Sequence, residues 1–284
     1  MTTIFLHSLN RAKGQILGWG LSLGLLAMYI VQFYDTVAKQ QNQIMQLLST
    51  YPPELMAFLG DLSQGFSPAG YLSLELFSYL PIIIGIFAVL TGSGLVAADE
   101  ESGTLDLVLA HPISRGALFA GRLLAFVATT VAILSFMWLG CLAGIRSSTM
   151  LDISASDMLL PFLSLFSLLA LFGGLALFLS MVLPSRRAAA SLSGILLIAS
   201  FFVTSLARID DNLRELARFS PLNYFQGGDA MNGLNTGWFG GLLGVAALFA
   251  FLAWWRFERR DIRVGGAGGW RIVLPWRQVA PHSR

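Results

Sequence analysis

A short charged stretch between residues 97 and 125 separates two long apolar runs of this chain. Asp99, Glu100 and Glu101 directly follow a long apolar run, and Arg115 and Arg122 open the next one. Carboxylates and guanidinium groups form strong, charge-assisted hydrogen bonds with each other and with partner proteins. A loop this short and this charged, placed where a long apolar segment ends, suits a surface on which a partner could act and is poorly explained as a passive linker.

Motifs for catalysis and nucleotide binding are absent from the sequence. It has no phosphate-binding G-x-x-x-x-G-K-[ST] loop and no H-E-x-x-H, the patterns that mark nucleotide and zinc sites. The three histidines, His7, His111 and His282, are far apart in sequence, and the single cysteine, Cys141, lies in an apolar run. We therefore expect a non-catalytic chain with no bound cofactor or metal and no nucleic-acid partner.

The composition places the chain in a lipid bilayer. Of its 284 residues, 55% are hydrophobic and only 12% are charged, about half the charge of a soluble domain. A membrane span needs about 20 apolar residues, and six runs qualify, at about 15–34, 76–97, 117–144, 158–183, 188–207 and 237–255. The sequence thus predicts an all-α integral membrane protein, with one transmembrane domain over residues 1–256 and a basic, Gly-containing cytoplasmic tail over residues 257–284.

The orientation of these spans follows from the positions of Lys and Arg. With six spans both termini lie on one side, and that side holds 13 of the 18 Lys and Arg residues against six of the 16 acidic residues. Basic residues favour the cytoplasmic side of a membrane. We therefore predict that both termini and the loop at 98–116 are cytoplasmic.

Two segments outside the spans are predicted to contact the membrane. The N-terminal residues place apolar side chains on one helical face beside Arg11 and Lys13, which predicts an interfacial helix; the frayed start of the first span is the alternative. Residues 208–236 mix charges with the run SPLNYFQGGDAMNG, which predicts a re-entrant outer segment before the last helix. Such backbone is tolerated only where protein or water covers it.

The predicted span interiors contain no Asp, Glu, Lys or Arg. Proton- and ion-coupled transporters usually place ionisable residues at that depth. Their absence argues against a self-contained, proton-driven transporter and favours amphiphilic or hydrophobic cargo.

The charged loop itself is predicted to be a helix, a turn and a second helix. Its acidic residues suit the positive end of a helix that starts near Ser102, and Pro112 would end that helix because it has no backbone N–H. Ser114 is a candidate N-cap for the third span. An ordinary capped loop is the alternative that local reasoning leaves open.

The run from Asp99 to Arg115 also resembles the signature loop of the membrane subunits of type-2 ATP-binding-cassette (ABC) exporters. That pattern reads acidic, x, acidic, x, G-T-L-[ED]-x-L-L, two residues, P, x, [ST]-R, with a basic residue about seven positions later. The matching positions here are Asp99, Glu101, Gly103, Thr104, Leu105, Asp106, Leu109, Pro112, Ser114, Arg115 and Arg122. His111 and Val108 are less typical of the pattern.

The resemblance implies a permease subunit in the plasma (inner) membrane. In that family the loop docks on a separate ATPase subunit, two permeases pair as a homodimer or a heterodimer, and ATP is bound by the partner chain. Acidic residues and Arg115 would pair across the interface, while Gly103 and Pro112 would shape the loop. The set implied to couple to the ATPase is Asp99, Glu101, Gly103, Thr104, Leu105, Asp106, Pro112, Ser114 and Arg115.

Other function classes fit the composition but not the loop. A stand-alone secondary transporter or channel is the main alternative, and it would work without ATP. A six-span intramembrane enzyme would need a catalytic pair of ionisable residues at depth, and a structural or assembly protein would need no such loop.

Overall fold

The computed structural model describes residues 1–48, 67–105, 110 and 113–260, with side chains for all of these except 41–48. Within these ranges the chain is helical and contains no strand. Five helices are long and apolar enough to cross a membrane, and a sixth span results if two shorter helices that meet at a bend count as one. These features confirm the predicted all-α integral membrane fold.

Four of the six predicted spans match a single long helix within a few residues, namely those at 117–144, 158–183, 188–207 and 237–255. The helices of the described ranges are α1 (Thr2–Leu48), α2 (Pro68–Leu72), α3 (Leu80–Gly94), α4 (Ala97–Glu101), α5 (Arg115–Ser147), α6 (Ala155–Val182), α7 (Arg186–Leu206), α8 (Arg214–Ala217) and α9 (Thr236–Arg259), with a π-helical turn at Ser73–Phe77.

The first span belongs to a helix longer than predicted. Residues Thr2–Leu48 form one helix, so the N-terminal segment predicted as an interfacial helix continues without a break into the first span. The physical reason is that this stretch contains no proline, and nothing else in it removes a backbone hydrogen bond and ends the helix.

The second span is broken and begins earlier than the predicted 76–97. It consists of Pro68–Phe77 and Leu80–Gly94, which meet at an angle of 41°. The break precedes Pro81, which sits at the start of α3, because proline lacks the N–H that would continue the preceding helix. The earlier start brings Glu75 into this broken span, so the prediction that no acidic residue lies within a span is wrong here.

The bundle has two ends, which we name by their residues. The proximal face carries Met1, α4, the start of α5, the α6–α7 turn and Arg260, and ion pairs join these elements. The distal face carries the end of the first span and the α5–α6 connection. There the Asp35 carboxylate accepts hydrogen bonds from Ser148 and from the Thr149 backbone N–H, the latter at 2.9 Å.

The long helices pack closely through glycines. A Cβ added at Gly140 of α5 would overlap the carbonyl oxygen of Gly24 on α1, and one at Gly92 of α3 would overlap the carbonyl of Gly173 on α6. Small residues allow such close approach between membrane helices. Helix α6 is the most buried of the candidate spans and forms the centre around which α3, α5 and α9 pack.

The segment between α7 and α9 returns into the bundle, as predicted. Its backbone N–H at Gln226 donates to the Ser164 hydroxyl of α6 at 3.0 Å, nine residues, or about 14 Å, beyond the start of that helix. The Gln226 side chain also bonds twice to the Asn235 backbone: its amide nitrogen donates to the Asn235 carbonyl at 3.2 Å, and its amide oxygen accepts from the Asn235 N–H at 2.6 Å. These bonds satisfy polar groups in the returning backbone, which is the condition for such a segment inside a membrane protein.

We predict that Gly140→Ala destabilises the protein by about 1–3 kcal/mol, because the new methyl group forces α1 and α5 apart. The measurement is thermal unfolding of purified protein in one detergent. Gly194→Ala on α7 is the matched control, since nothing lies within 4 Å of its added Cβ, and alanine favours a helix over glycine. Equal melting temperatures for the two variants would contradict the close α1–α5 contact.

Candidate functional site

The charged loop begins with a capped helix on the proximal face. After α4, Gly103 adopts a left-handed backbone with φ of +71°. Its N–H donates to the Glu100 carbonyl at 3.1 Å, and the Thr104 N–H donates to the Asp99 carbonyl at 2.9 Å. This pair of bonds is the Schellman C-cap, which favours glycine at that position. Gly103 therefore shapes the loop, as the resemblance implies.

Asp99 binds arginines from two other helices. Its carboxylate pairs with Arg122 of α5, which lies close by, and with Arg11 of α1 at 3.4 Å. Arg122 also donates to the Leu95 carbonyl at 2.8 Å, which ties the end of the second span to α5. The side chains of Asp99 and Arg122 are largely buried, whereas that of Arg11 is 75% exposed.

Glu100 forms the most buried ion pair of the described residues. Its carboxylate pairs with Arg260, and the exposed fractions of the two side chains are 7% and 10%. Arg260 also donates to the Met181 carbonyl at 3.2 Å and accepts a bond at its own carbonyl from Arg115 at 2.9 Å. This pair joins α4 to the end of the last span and to the end of α6.

Glu101 binds the start of α7. Its carboxylate accepts a hydrogen bond from the Arg186 backbone N–H at 2.7 Å, where the helix has free N–H groups and a partial positive charge that favours an anion. Ser185 caps the same helix through its hydroxyl, which accepts from the Ala188 N–H at 3.2 Å. Three consecutive carboxylates thus reach α1, α5, α7 and the residue after α9.

The remaining predicted residues divide into buried, capping and undescribed positions. Leu105 is buried within the chain's own core on this face, beside Leu118 and Phe257. Ser114 accepts a hydrogen bond from the Ala117 N–H at 3.2 Å and caps α5, which confirms the predicted N-cap. Asp106 and Pro112, together with most of the predicted 257–284 tail, lie outside the described residues.

Asp99 and Glu101 were expected to contact a partner protein, and the structure shows that both have partners in their own chain. Sequence reasoning missed Arg122, Arg186 and Arg260 as partners of the acidic residues and treated most basic residues as signals of orientation. The sequence did contain a signal for such partners, because a charge at the end of an apolar helix needs a counter-charge. Which arginine meets which acid depends on the packing of distant helices.

The exposed part of this site is small. Glu101, Ser102, Thr104 and Ala110 are exposed, so the loop presents a polar surface above a row of internal ion pairs. No group of His, Cys, Asp and Glu residues in the described ranges could hold a metal ion. The arrangement ties α1, α4, α5, the start of α7 and the residue after α9 to one another at the proximal face.

We predict that Glu100→Arg and Arg260→Glu each destabilise the protein by about 3–5 kcal/mol, because each leaves two like charges in a buried site. The double exchange should recover at least half of this loss. The measurement is a double-mutant cycle of unfolding free energies. Arg218 and Glu215 form an exposed pair on the distal face, and the same exchanges there should change stability by about 0.5 kcal/mol or less. Additive effects at the buried pair would contradict the contact.

Comparison with known proteins agrees with the membrane fold described above. A search among curated proteins finds no significant match. The family model described as ABC-2 family transporter protein matches residues 17–262, a range that includes the first span from residue 17 onward, the other five spans and the whole charged loop. Because the match covers most of the chain, the chain belongs to the ABC-2 family of transporter proteins and is a multi-pass membrane permease of that family.

Proposed function

We propose that this chain is the transmembrane subunit of an ATP-driven ABC exporter. It forms the substrate pathway together with a second permease and couples to a separate ATPase subunit through the 99–115 loop. The observation that carries the proposal is the set of three consecutive carboxylates, Asp99, Glu100 and Glu101, each bound to different helices of the bundle.

The absence of a nucleotide-binding motif from the sequence supports a separate ATPase chain as the source of energy. The sequence has no phosphate-binding loop of its own, and such loops supply the backbone N–H groups that hold nucleotide phosphates. An ABC-2 permease that transports against a gradient therefore draws its energy from another protein, and ATP is bound by that partner.

The anchoring of α4 supports mechanical coupling. A force on the loop would act directly on α1 and α5 through Asp99, on α7 through Glu101 and on the end of the last span through Glu100. Packed elements move as rigid bodies and switch between discrete arrangements. The exposed Ser102 and Thr104 offer a contact surface, and Asp106, Pro112 and Arg115 remain predicted members of the interface.

The charge distribution supports the proposed orientation. Basic residues are concentrated on the proximal face, which favours its cytoplasmic placement in the plasma (inner) membrane. A cytoplasmic ATPase would then meet the loop directly.

We predict that an ATPase co-purifies with the tagged wild-type chain from native membranes in mild detergent. Asp106→Arg should reduce the recovered ATPase activity by about tenfold or more, since it reverses a charge at the proposed contact. Asp211→Arg is the matched control: it makes the same exchange at an exposed residue of the distal face and should leave recovery unchanged.

Two results would overturn the proposal. If no ATPase accompanies a folded, monodisperse wild-type chain, the exporter loses its energy source and a stand-alone transporter becomes the function to test. If Asp106→Arg and Asp211→Arg reduce recovery equally, the loop is not the docking surface.

A further inference from the structure

Glu75 is a carboxylate within the bundle that the proposed coupling does not use. It follows Tyr71 by one turn, and the Tyr71 hydroxyl donates to the Ile30 carbonyl of α1 at 3.1 Å. Ile30 precedes Asp35 by five residues, and Asp35 marks the distal end of the first span through its bonds to the α5–α6 connection. Because the second span runs from the distal to the proximal end, Glu75 therefore lies two to three helical turns, on the order of 10–15 Å, inside the distal end.

The Glu75 side chain is exposed at this depth. Among the residues that the structure describes, no basic group forms an ion pair with it. A lone carboxylate facing hydrocarbon is costly, so ionisable groups within spans face a cavity, a partner or a substrate path. The exposed face around Glu75 is therefore better suited to a polar or charged occupant than to lipid chains.

Exposed aromatic rings flank this carboxylate. Tyr79 is 59% exposed and Tyr29 of α1 is 63% exposed; the Tyr29 ring stacks on Phe33 with centroids 6.2 Å apart. Tyr29 directly precedes Ile30, whose carbonyl accepts the bond from the Tyr71 hydroxyl, and Glu75 follows Tyr71 by one turn, so both residues lie around the same contact between α1 and the second span. Aromatic faces beside a carboxylate attract cations, because the ring quadrupole and the negative charge act in the same direction.

The backbone at Glu75 is irregular. Ser73–Phe77 forms a π-helical turn immediately before the 41° bend, and the Ser78 hydroxyl donates to the Ser73 carbonyl at 2.7 Å. Such turns are uncommon and recur at functional sites. The turn changes the direction in which the side chains around Glu75 project, so the carboxylate and Tyr79 lie on either side of the bend.

We infer that Glu75, with Tyr29 and Tyr79, forms a binding site for an amphiphilic cation, a hydrophobic molecule with one positive charge. The inference rests on the proposed function, because it names the substrate class of that transport path. Glu75 supplies the counter-charge, the tyrosine rings supply the apolar and cation-attracting walls, and the molecule reaches the site from the distal half of the membrane.

The test measures binding to the purified full-length chain in nanodiscs of phosphatidylglycerol, with radiolabelled tetraphenylphosphonium as the probe. Glu75→Gln should weaken binding by about tenfold or more, since it removes one ion pair and keeps the shape of the side chain. Glu75→Asp should retain most of the affinity. Glu215→Gln is the matched control on the distal face and should bind the probe like wild type. Binding of the anion tetraphenylborate should be the same in the wild type and in both glutamine variants.

Several outcomes would overturn the inference. These are a wild-type chain that shows no saturable binding, a Glu75→Gln variant that binds like wild type, and equal losses in Glu75→Gln and Glu215→Gln. Displacement of the probe by added phosphatidylethanolamine would identify a lipid headgroup as the occupant instead. The measurement requires no ATPase, so its failure and the failure of the co-purification experiment are separate results.

Discussion

The pairing of charges at the proximal face is the interaction on which the arrangement of this protein depends. Asp99, Glu100, Arg122 and Arg260 carry charge next to apolar segments, and burying such a charge without a partner is costly. Each of these groups has a partner on another helix. The pairing therefore determines which helix ends meet, and it gathers residues that lie up to 160 positions apart in sequence.

Close helix packing holds the middle of the bundle together, and charge pairing holds its proximal end together. In the middle, Gly92 and Gly173 let α3 and α6 approach until their backbones touch, and such contacts have no preferred chemistry beyond size. At the proximal end, the carboxylates determine which helix ends meet. In the proposed exporter, close packing makes the helices move as rigid bodies. The ion pairs determine which helices move when the loop is displaced.

The second span connects the two proposed sites. Its proximal end leads through Leu95 and Val96 into α4 and the charged loop, and its distal end carries Glu75 beyond the bend. In the proposed exporter, the loop that meets the ATPase and the segment with Glu75 therefore belong to the same span, on either side of the bend at residues 78–79. A single element would then join the contact with the ATPase to the contact with the substrate.

The sequence by itself determined the membrane class, four of the six spans, the Ser114 cap and the position of the charged loop, because hydrophobic length and capping chemistry are local properties. The break before Pro81 and the start at Pro68 both had local signals, since Pro68 opens its helix and the Ser67 hydroxyl accepts from the Gly70 N–H, and sequence reasoning used neither. Only the tertiary structure decided that Asp99, Glu100 and Glu101 bind Arg122, Arg260 and the start of α7, and that Leu105 is buried. Those contacts join distant parts of the chain, and pairing across such distances depends on how the helices pack, which residue spacing does not encode.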